Sequence, residues 1–380
     1  MSFFLLTFFL LYGSLHFYLL VKARQAFPLG VALTLALVLF MLLMISAPFL
    51  VYFLEKHAFL SAARFLAFFG YCWMGFVFLC FCFLLVIDLY RLLILFGGWL
   101  FPGSWNGLSP SPKFYFFLSM LLSLGIVFYG YFEAQDIRTE KIILTSPKIP
   151  REAGKVKIVQ ISDVHLGMIV REARLAKILT EVKKADPDLF LSTGDLVDGQ
   201  INNLVGLAEL FLEIRPRFGK FAITGNHEFY AGLAHSLEFT RRAGFTPLRG
   251  ESLTVGGLIN LAGIDDPAGK GFGLYREASE KDLLSKLPRE KFTILLKHRP
   301  EVERTALGFF DLQISGHTHK GQIFPFRLLT RIFYPYYGGS FPISPQASLH
   351  VSRGSGTWGP PIRFLTPPEV TVYELLPANK

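Results

Sequence analysis

Four long apolar runs open the chain, and an alternation of short apolar runs with amphipathic stretches closes it. Residues 3–21, 29–54, 65–96 and 114–132 carry almost no charge. About 20 residues of helix cross roughly 30 Å of hydrocarbon, so each run is long enough to span a bilayer. Pro28, Pro48, Pro102, Pro110 and Pro112 lie at or near the ends of these runs, with Lys22, Arg24, Lys56, Arg64 and Lys113 in the connections. The first run lacks a charged leader and a small-residue cleavage pattern, so it reads as a retained span. Trp99, Trp105, Tyr129 and Tyr131 fall where interfacial aromatics are expected. A helical bundle in water is excluded, because these runs hold too little polar surface to cover one.

Beyond residue 155 the period changes. Residues 156–161, 188–193, 220–224, 292–296 and 312–315 read as buried strands, and 172–184, 204–214, 233–243 and 277–286 as amphipathic helices. That alternation predicts an α/β sheet domain. Residues 141–146 read as a first edge strand, and 252–255 with 258–262 as a hairpin around Gly256-Gly257. The expected division is a transmembrane helical domain over 1–135, a connector over 136–154 and a catalytic domain over 155–380.

Polar motifs sit at the ends of the buried strands. They are Asp163-Val164-His165, Gly194-Asp195-Leu196-Val197-Asp198, Gly225-Asn226-His227-Glu228, Lys297-His298-Arg299-Pro300 and Gly316-His317-Thr318-His319. Side chains at successive strand ends project into one crevice, where open α/β sheets place their sites. Carboxylate, imidazole and amide together suit Mn, Fe or Zn better than a calcium cage or a thiolate site. Asp163, His165, Asp195, Asn226, His298, His317 and His319 exceed what one tetrahedral ion needs, so two divalent ions are expected. A pair of cations about 3.5–4 Å apart can hold an in-line displacement from both sides and generate hydroxide near neutral pH. Asp195, in the middle of the set, is the natural bridge. Gly194 and Gly225 precede ligands, as tight turns near a metal require.

The order of these five motifs is similar to that of the calcineurin-like metallophosphoesterase superfamily, over about residues 155 to 376. The resemblance implies a four-layer αββα sandwich built on two mixed sheets. It implies one ion held by Asp163, His165, Asp195 and His319, and a second by Asp195, Asn226, His298 and His317. His227 resembles the family's non-ligand histidine, which stabilises or protonates the leaving oxygen, with Asp198 orienting it. A carboxylate in that place fixes the tautomer and raises imidazole basicity.

Composition sharpens the division. The chain is 52% hydrophobic and 18% charged, and residues 1–135 hold only six Lys/Arg and three Asp/Glu. The net charge of +9 is not accompanied by a basic run with interleaved aromatics near the motifs, so no nucleic-acid partner is expected. Membrane lipids account for the balance instead. Cys72, Cys80 and Cys82 share one apolar run and read as buried small residues. Four spans put both ends on one side, with six basic residues there (Lys56, Arg64, Arg138, Lys141, Lys148, Arg151) against four opposite (Lys22, Arg24, Arg91, Lys113). The expectation is a plasma (inner) membrane protein with a cytoplasmic catalytic domain. Asp88 is expected to pair locally with Arg91.

Several residues near the motifs carry two readings. Asp265-Asp266-Pro267 reads as turn chemistry before substrate contact. Gln322 shapes the rim beside the last ligand pair and is a candidate substrate contact. Arg353 either aims its fork at a phosphate or closes a strand-end salt bridge. Residues 323–341 are apolar and aromatic with Arg327 and Arg331, and suit either a lipid contact or packing on the chain's own spans. On the lipid reading, charges at Phe333 and Tyr334 should harm only a lipid substrate.

The expected function is hydrolysis of a phosphoester or diphosphate, with a lipid-linked substrate such as UDP-2,3-diacylglucosamine. The apolar spans ahead of this domain resemble transmembrane metallophosphoesterases related to the UDP-2,3-diacylglucosamine diphosphatases of lipid A synthesis. The alternatives are a phosphodiesterase or phosphatase of nucleotides or lipid headgroups with the spans as a simple anchor, and a non-catalytic membrane scaffold or sensor. The intact ligand set argues against a scaffold, since buried carboxylates and histidines are costly without metal.

Overall fold

The computed structural model describes residues 2–101, 105–199, 204 and 206–378; Pro102 and Val205 lie outside the described residues. The chain divides into two units, Met1–Phe132 with Gly359–Ile362, and Glu133–Trp358 with Arg363–Lys380.

The first unit holds four helices, α1 (Ser2–Ala26), α2 (Val31–Lys56), α3 (Leu60–Leu100) and α4 (Pro112–Glu133), each long and apolar enough to cross a membrane. Pro112 occupies the first position of α4, where its missing N–H is not needed. With 41 residues, α3 is about 60 Å long, about twice the hydrocarbon thickness. Tyr12, Leu19, Met41, Phe76, Leu84 and Tyr115 form the shared core of this unit. A Cβ on Gly70 would stand 2.7 Å from that of Ala47, so α2 and α3 approach as closely as small residues allow. Cys80 is buried, and all three cysteines are free thiols.

The local pair of Asp88 with Arg91 forms, but it is not the closest contact. The nearest partners of Asp88 are Lys22 Nζ and the Tyr18 hydroxyl on α1, both at 2.6 Å, while Arg91 stands 3.9 Å away. Lys22 lies in α1 rather than in a connection and is nearly buried there. A cation without water needs a counter-ion, and that need reaches across helices.

The second unit is a four-layer αββα sandwich. Its strands are β1 (Arg138–Ser146), β2 (Val156–Ile161), β3 (Leu189–Ser192), β4 (Lys220–Ala222), β5 (Thr246–Pro247), β6 (Glu251–Val255), β7 (Ile259–Gly263), β8 (Phe292–Leu296), β9 (Leu312–Ser315), β10 (Gly339–Pro342), β11 (Ser348–Val351) and β12 (Glu369–Pro377). Its helices are α5 (Glu172–Ala185), α6 (Leu207–Leu210), α7 (Asn226–Tyr230), α8 (Leu233–Arg242), α9 (Glu280–Ser285) and α10 (Arg327–Phe333). One sheet runs β1-β12-β2-β3-β4-β5 and the other β10-β11-β9-β8-β7-β6. Both are mixed: β2 to β5 and β7 to β9 are parallel, while β12 opposes β2 and β6 opposes β7.

Alternation along each strand explains the layers. Ile158, Leu191 and Phe221 meet Leu261, Ile294 and Ile314 between the sheets. Val159, Ile161 and Phe190 face outward onto Leu175, Ile178 and Val182 of α5. Leu295 faces outward onto Leu283 and Leu284 of α9. Strands covered on both faces read as continuous apolar runs, which is why their sequence pattern is so plain. The region expected as a connector contains β1, an edge strand as predicted. The helix expected over 204–214 is shorter, α6 followed by a 3-10 turn at Phe211–Glu213.

Candidate metal centre

Every motif follows a strand end. Asp163 and His165 follow β2, Asp195 and Asp198 follow β3, Asn226 and His227 open α7 after β4, His298 follows β8, and His317 and His319 follow β9. Strands of both sheets therefore deliver side chains to one edge of the sandwich. Gln160 joins the sheets beneath this edge: its amide donates to Thr193 Oγ1 and the Ser315 carbonyl, and its carbonyl accepts from the Tyr373 hydroxyl.

Two groups of ligand atoms form around Asp195. His165 Nε2 faces His319 Nε2 at 3.1 Å, and His319 Nε2 lies 3.5 Å from Asp163 Oδ1. On the other side, His317 Nδ1 faces His298 Nε2 at 3.2 Å. Asp195 Oδ2 stands between the groups, 3.7 Å from His165 Nε2 and 3.2 Å from His298 Nε2. Asn226 Oδ1 is buried and accepts no hydrogen bond. Imidazole nitrogens facing each other around a carboxylate, with an orphaned amide oxygen beside them, fit divalent cations.

The surroundings aim these atoms. His298 Nδ1 donates to the Thr193 carbonyl at 2.7 Å, leaving the Nε2 lone pair free. Asp163 accepts from Ser162 Oγ at 2.5 Å and from the His317 N–H. Asp163, His165, Asp195, His317 and His319 all have positive φ, between 48° and 72°. Non-glycine residues in this left-handed region are held there at a cost of order 1 kcal/mol or more each, a cost typical of functional loops. Gly194 has φ +93°, and a Cβ there would stand 2.7 Å from His298 Nδ1. Gly225 is extended, and its reason differs: a Cβ would strike Asp195 Oδ1.

Without metal the cluster is electrostatically divided. Burial opposes charge on His298 and His227, but Asp195 beside both outweighs it and pushes them up to about 10 and about 9. Burial, then the His227 charge, pushes His165 down to about 4. Burial alone would raise Asp195, yet His298 and His227 hold it well below the carboxylate range. Desolvation raises Asp163. His227 Nδ1 lies 2.8 Å from Asp198 Oδ1, and its backbone N–H donates to Asp195 Oδ1.

The other expected contacts are placed elsewhere. Arg353 spends its guanidinium on Glu369 at 2.6 Å and Glu140 at 3.1 Å, which is the salt-bridge alternative. Gln322 exchanges hydrogen bonds with the backbone of Trp358. Asp265 binds Arg249 and Thr224, and Asp266 caps a 3-10 turn while pairing with Arg299, so both are architectural. Tyr334 is not a free lipid contact: its hydroxyl meets His317 Nε2 at 2.9 Å.

Three residues escape a reading of the motifs. Glu228 accepts from the N–H groups of Asp195, Leu196 and Gly225, tying two ligand loops together. Arg363 is fully buried and donates to carbonyls of Arg353, His319 and Gly356, with a further contact to His319 Nδ1. Tyr334 completes the set. The acid three places after Gly225 was a signal for Glu228, and the aromatic stretch 323–341 pointed to Tyr334 but not to its contact with His317; Arg363 had none.

Comparison with known proteins agrees with this geometry. The profile of the calcineurin-like phosphoesterase family matches residues 156–321. A metallophosphoesterase of Aquifex aeolicus (strain VF5) is 39% identical over 261 residues, 68% of this chain and 98% of its own length. A transmembrane protein with metallophosphoesterase domain from Danio rerio is 30% identical over 67% of this chain and 61% of its own length. The crystal structure of a 5'-nucleotidase precursor from Thermus thermophilus aligns with 18% identity and a TM-score of 0.37, covering 58% of this chain and 54% of that one. With four apolar helices ahead of a metal-suited, strand-end site, the chain is a membrane protein and a hydrolase of phosphoester bonds, and it belongs to the calcineurin-like metallophosphoesterase family.

Proposed function

We propose that the site binds two divalent ions, Mn, Fe or Zn, and hydrolyses a phosphoester or diphosphate of an amphiphilic substrate presented by the membrane. The observation that carries this reading is the place of Asp195, whose Oδ2 lies between two groups of imidazole nitrogens at 3.7 and 3.2 Å. One ion would be held by Asp163, His165, Asp195 and His319, the other by Asp195, Asn226, His298 and His317. When bound, the pair supplies Lewis-acid polarisation of the phosphoryl group and of the attacking water.

The chain's own residues supply orientation and a proton. His227, held by Asp198, carries its proton on the side of the leaving oxygen and lends positive charge as negative charge develops. Glu228 and Ser162 keep the ligand loops in register. Aromatic side chains beside the histidines favour a substrate with an apolar part, for which UDP-2,3-diacylglucosamine is the candidate. The excess of basic residues on the side shared by both ends of the four spans supports an inner-membrane protein with its catalytic domain in the cytoplasm.

The test is metal content and turnover of the full-length protein in detergent. Bis(p-nitrophenyl) phosphate should be hydrolysed, with two ions bound per chain. Asp195→Ala should lose both ions' tight binding and at least about 100-fold in turnover. Release of UMP from UDP-2,3-diacylglucosamine tests the finer substrate, and its absence beside activity on the soluble diester would leave only the chemistry.

A further inference from the structure

The mouth of the site is aromatic on both sides. Trp358 and Tyr230 stack edge-on to His227, at 5.9 and 5.3 Å between ring centroids, and Phe272 continues from Tyr230 at 6.0 Å. Tyr334 lies 5.3 Å from the ring of His317. Trp358, Tyr230 and Phe272 are each at least half exposed. Ring faces left in water at a charged catalytic edge are a liability for a soluble domain, and their position implies a use.

Directly before Tyr334 runs α10, a helix of two turns that buries only Thr330. Phe326, Leu328, Leu329, Ile332 and Phe333 are exposed around it, Ile332 at 73% and Phe333 at 77%. Arg331 stands among them with its charge in solvent, and Arg327 lies over the Phe324 ring at 4.7 Å. Apolar side chains interleaved with arginine on a short exposed helix match the boundary between acyl chains and anionic headgroups. The link to the spans is short: β1 starts at Arg138, just after α4 ends at Glu133, and that stretch reaches at most about 18 Å.

We infer that α10 inserts its apolar face into the surface of an anionic bilayer, and that the aromatic mouth of Trp358, Tyr230 and Phe272 passes a lipid-borne phosphoester from that surface to the metal centre. The insertion rests on the exposed face and its arginines; the passage of substrate rests on the phosphoesterase reading above. A protein partner on the same face is the rival occupant, and the test below separates it from the bilayer.

The test separates these two dependences. Full-length protein with Cys72, Cys80 and Cys82 replaced by alanine carries a bimane dye on Phe333→Cys, or on Glu290→Cys as an exposed reference. Both are reconstituted in vesicles of phosphatidylethanolamine and phosphatidylglycerol. Brominated acyl chains should quench the dye at 333 and not at 290. Quenching at 333 by iodide alone, meaning water, or by neither agent, meaning cover by protein, overturns the insertion. Separately, Ile332→Glu should lower the ratio of turnover on a vesicle-embedded long-chain nitrophenyl phosphodiester to that on bis(p-nitrophenyl) phosphate at least tenfold. An unchanged ratio overturns the passage of substrate. No turnover of either ester by the unmodified chain would overturn the phosphoesterase reading alone, since the quenching result does not depend on it.

Discussion

Glu228 shows how much a single side chain does at this site without touching a substrate. Its carboxylate collects backbone N–H groups from the loop of Asp195 and from the turn of Asn226, so both ligands move with it. Burial, then the nearby Asp195 charge, pushes its acid up to about 7, so the neutral form is within reach when metals are absent. Glu228→Gln keeps the shape but points an amide N–H at backbone donors. Metal affinity should fall about 10–100-fold, measured by competition with a chelator. Tyr334→Phe should lower turnover of soluble and lipid substrates alike by a similar factor, because the lost contact is to His317 rather than to an acyl chain. Gly316→Ala should abolish activity, since its Cβ would strike Ser162 Oγ and Asp163 Oδ2; loss of bound metal with the fold retained by circular dichroism is the expected signature. The residues that ligate were legible because a run of apolar positions ended abruptly in Asp, His or Asn. Their left-handed backbone was not, since only glycine announces positive φ in a sequence.

At the scale of elements, the buried parallel strands were plain and the mixed edges were not. A strand buried on both faces writes itself as an unbroken apolar run, as Leu189-Phe190-Leu191 of β3 does. Pairing of β1 with β12 joins Arg138 to Glu369, and nothing near either segment marks the other. The same holds for Arg353, whose partner Glu369 lies at the start of β12. Burial opposes charge on Glu369, but His350 and Arg353 overcome it and hold the acid down to about 2, against 4.5 in a free chain. A carboxylate with a depressed pKa stabilises the fold above about pH 4.5 and loses that contribution as pH falls toward 2. The contribution is of order 3 kcal/mol. Glu369→Gln should therefore destabilise the protein at neutral pH and flatten its acid transition, followed by near-ultraviolet circular dichroism. Leu191→Ala, in the layer between the sheets, should cost about 2–5 kcal/mol in the same assay at any pH.

Across the whole molecule, composition separates a greasy first third from an ordinary α/β remainder, while the first unit also takes in Gly359–Ile362 from the end of the chain. The cross-helix pair of Lys22 and Asp88 was hidden, because charge in an apolar run suggests a nearby mate before a distant one. Asp88→Asn should leave Lys22 uncompensated and lower the detergent melting temperature, with a loss of roughly 3 kcal/mol. The order of the first sheet has its own consequence. Strand β12 follows all the other described strands in chain order, yet it lies between β1 and β2, the first two strands of its domain. On the ribosome, the four helices can enter the bilayer while β1 and β2 wait with an unfilled slot between them. Arg363, which braces the loop of His319, arrives only a few residues before that strand. Catalytic competence therefore waits for β12, long after the four helices have left the ribosome.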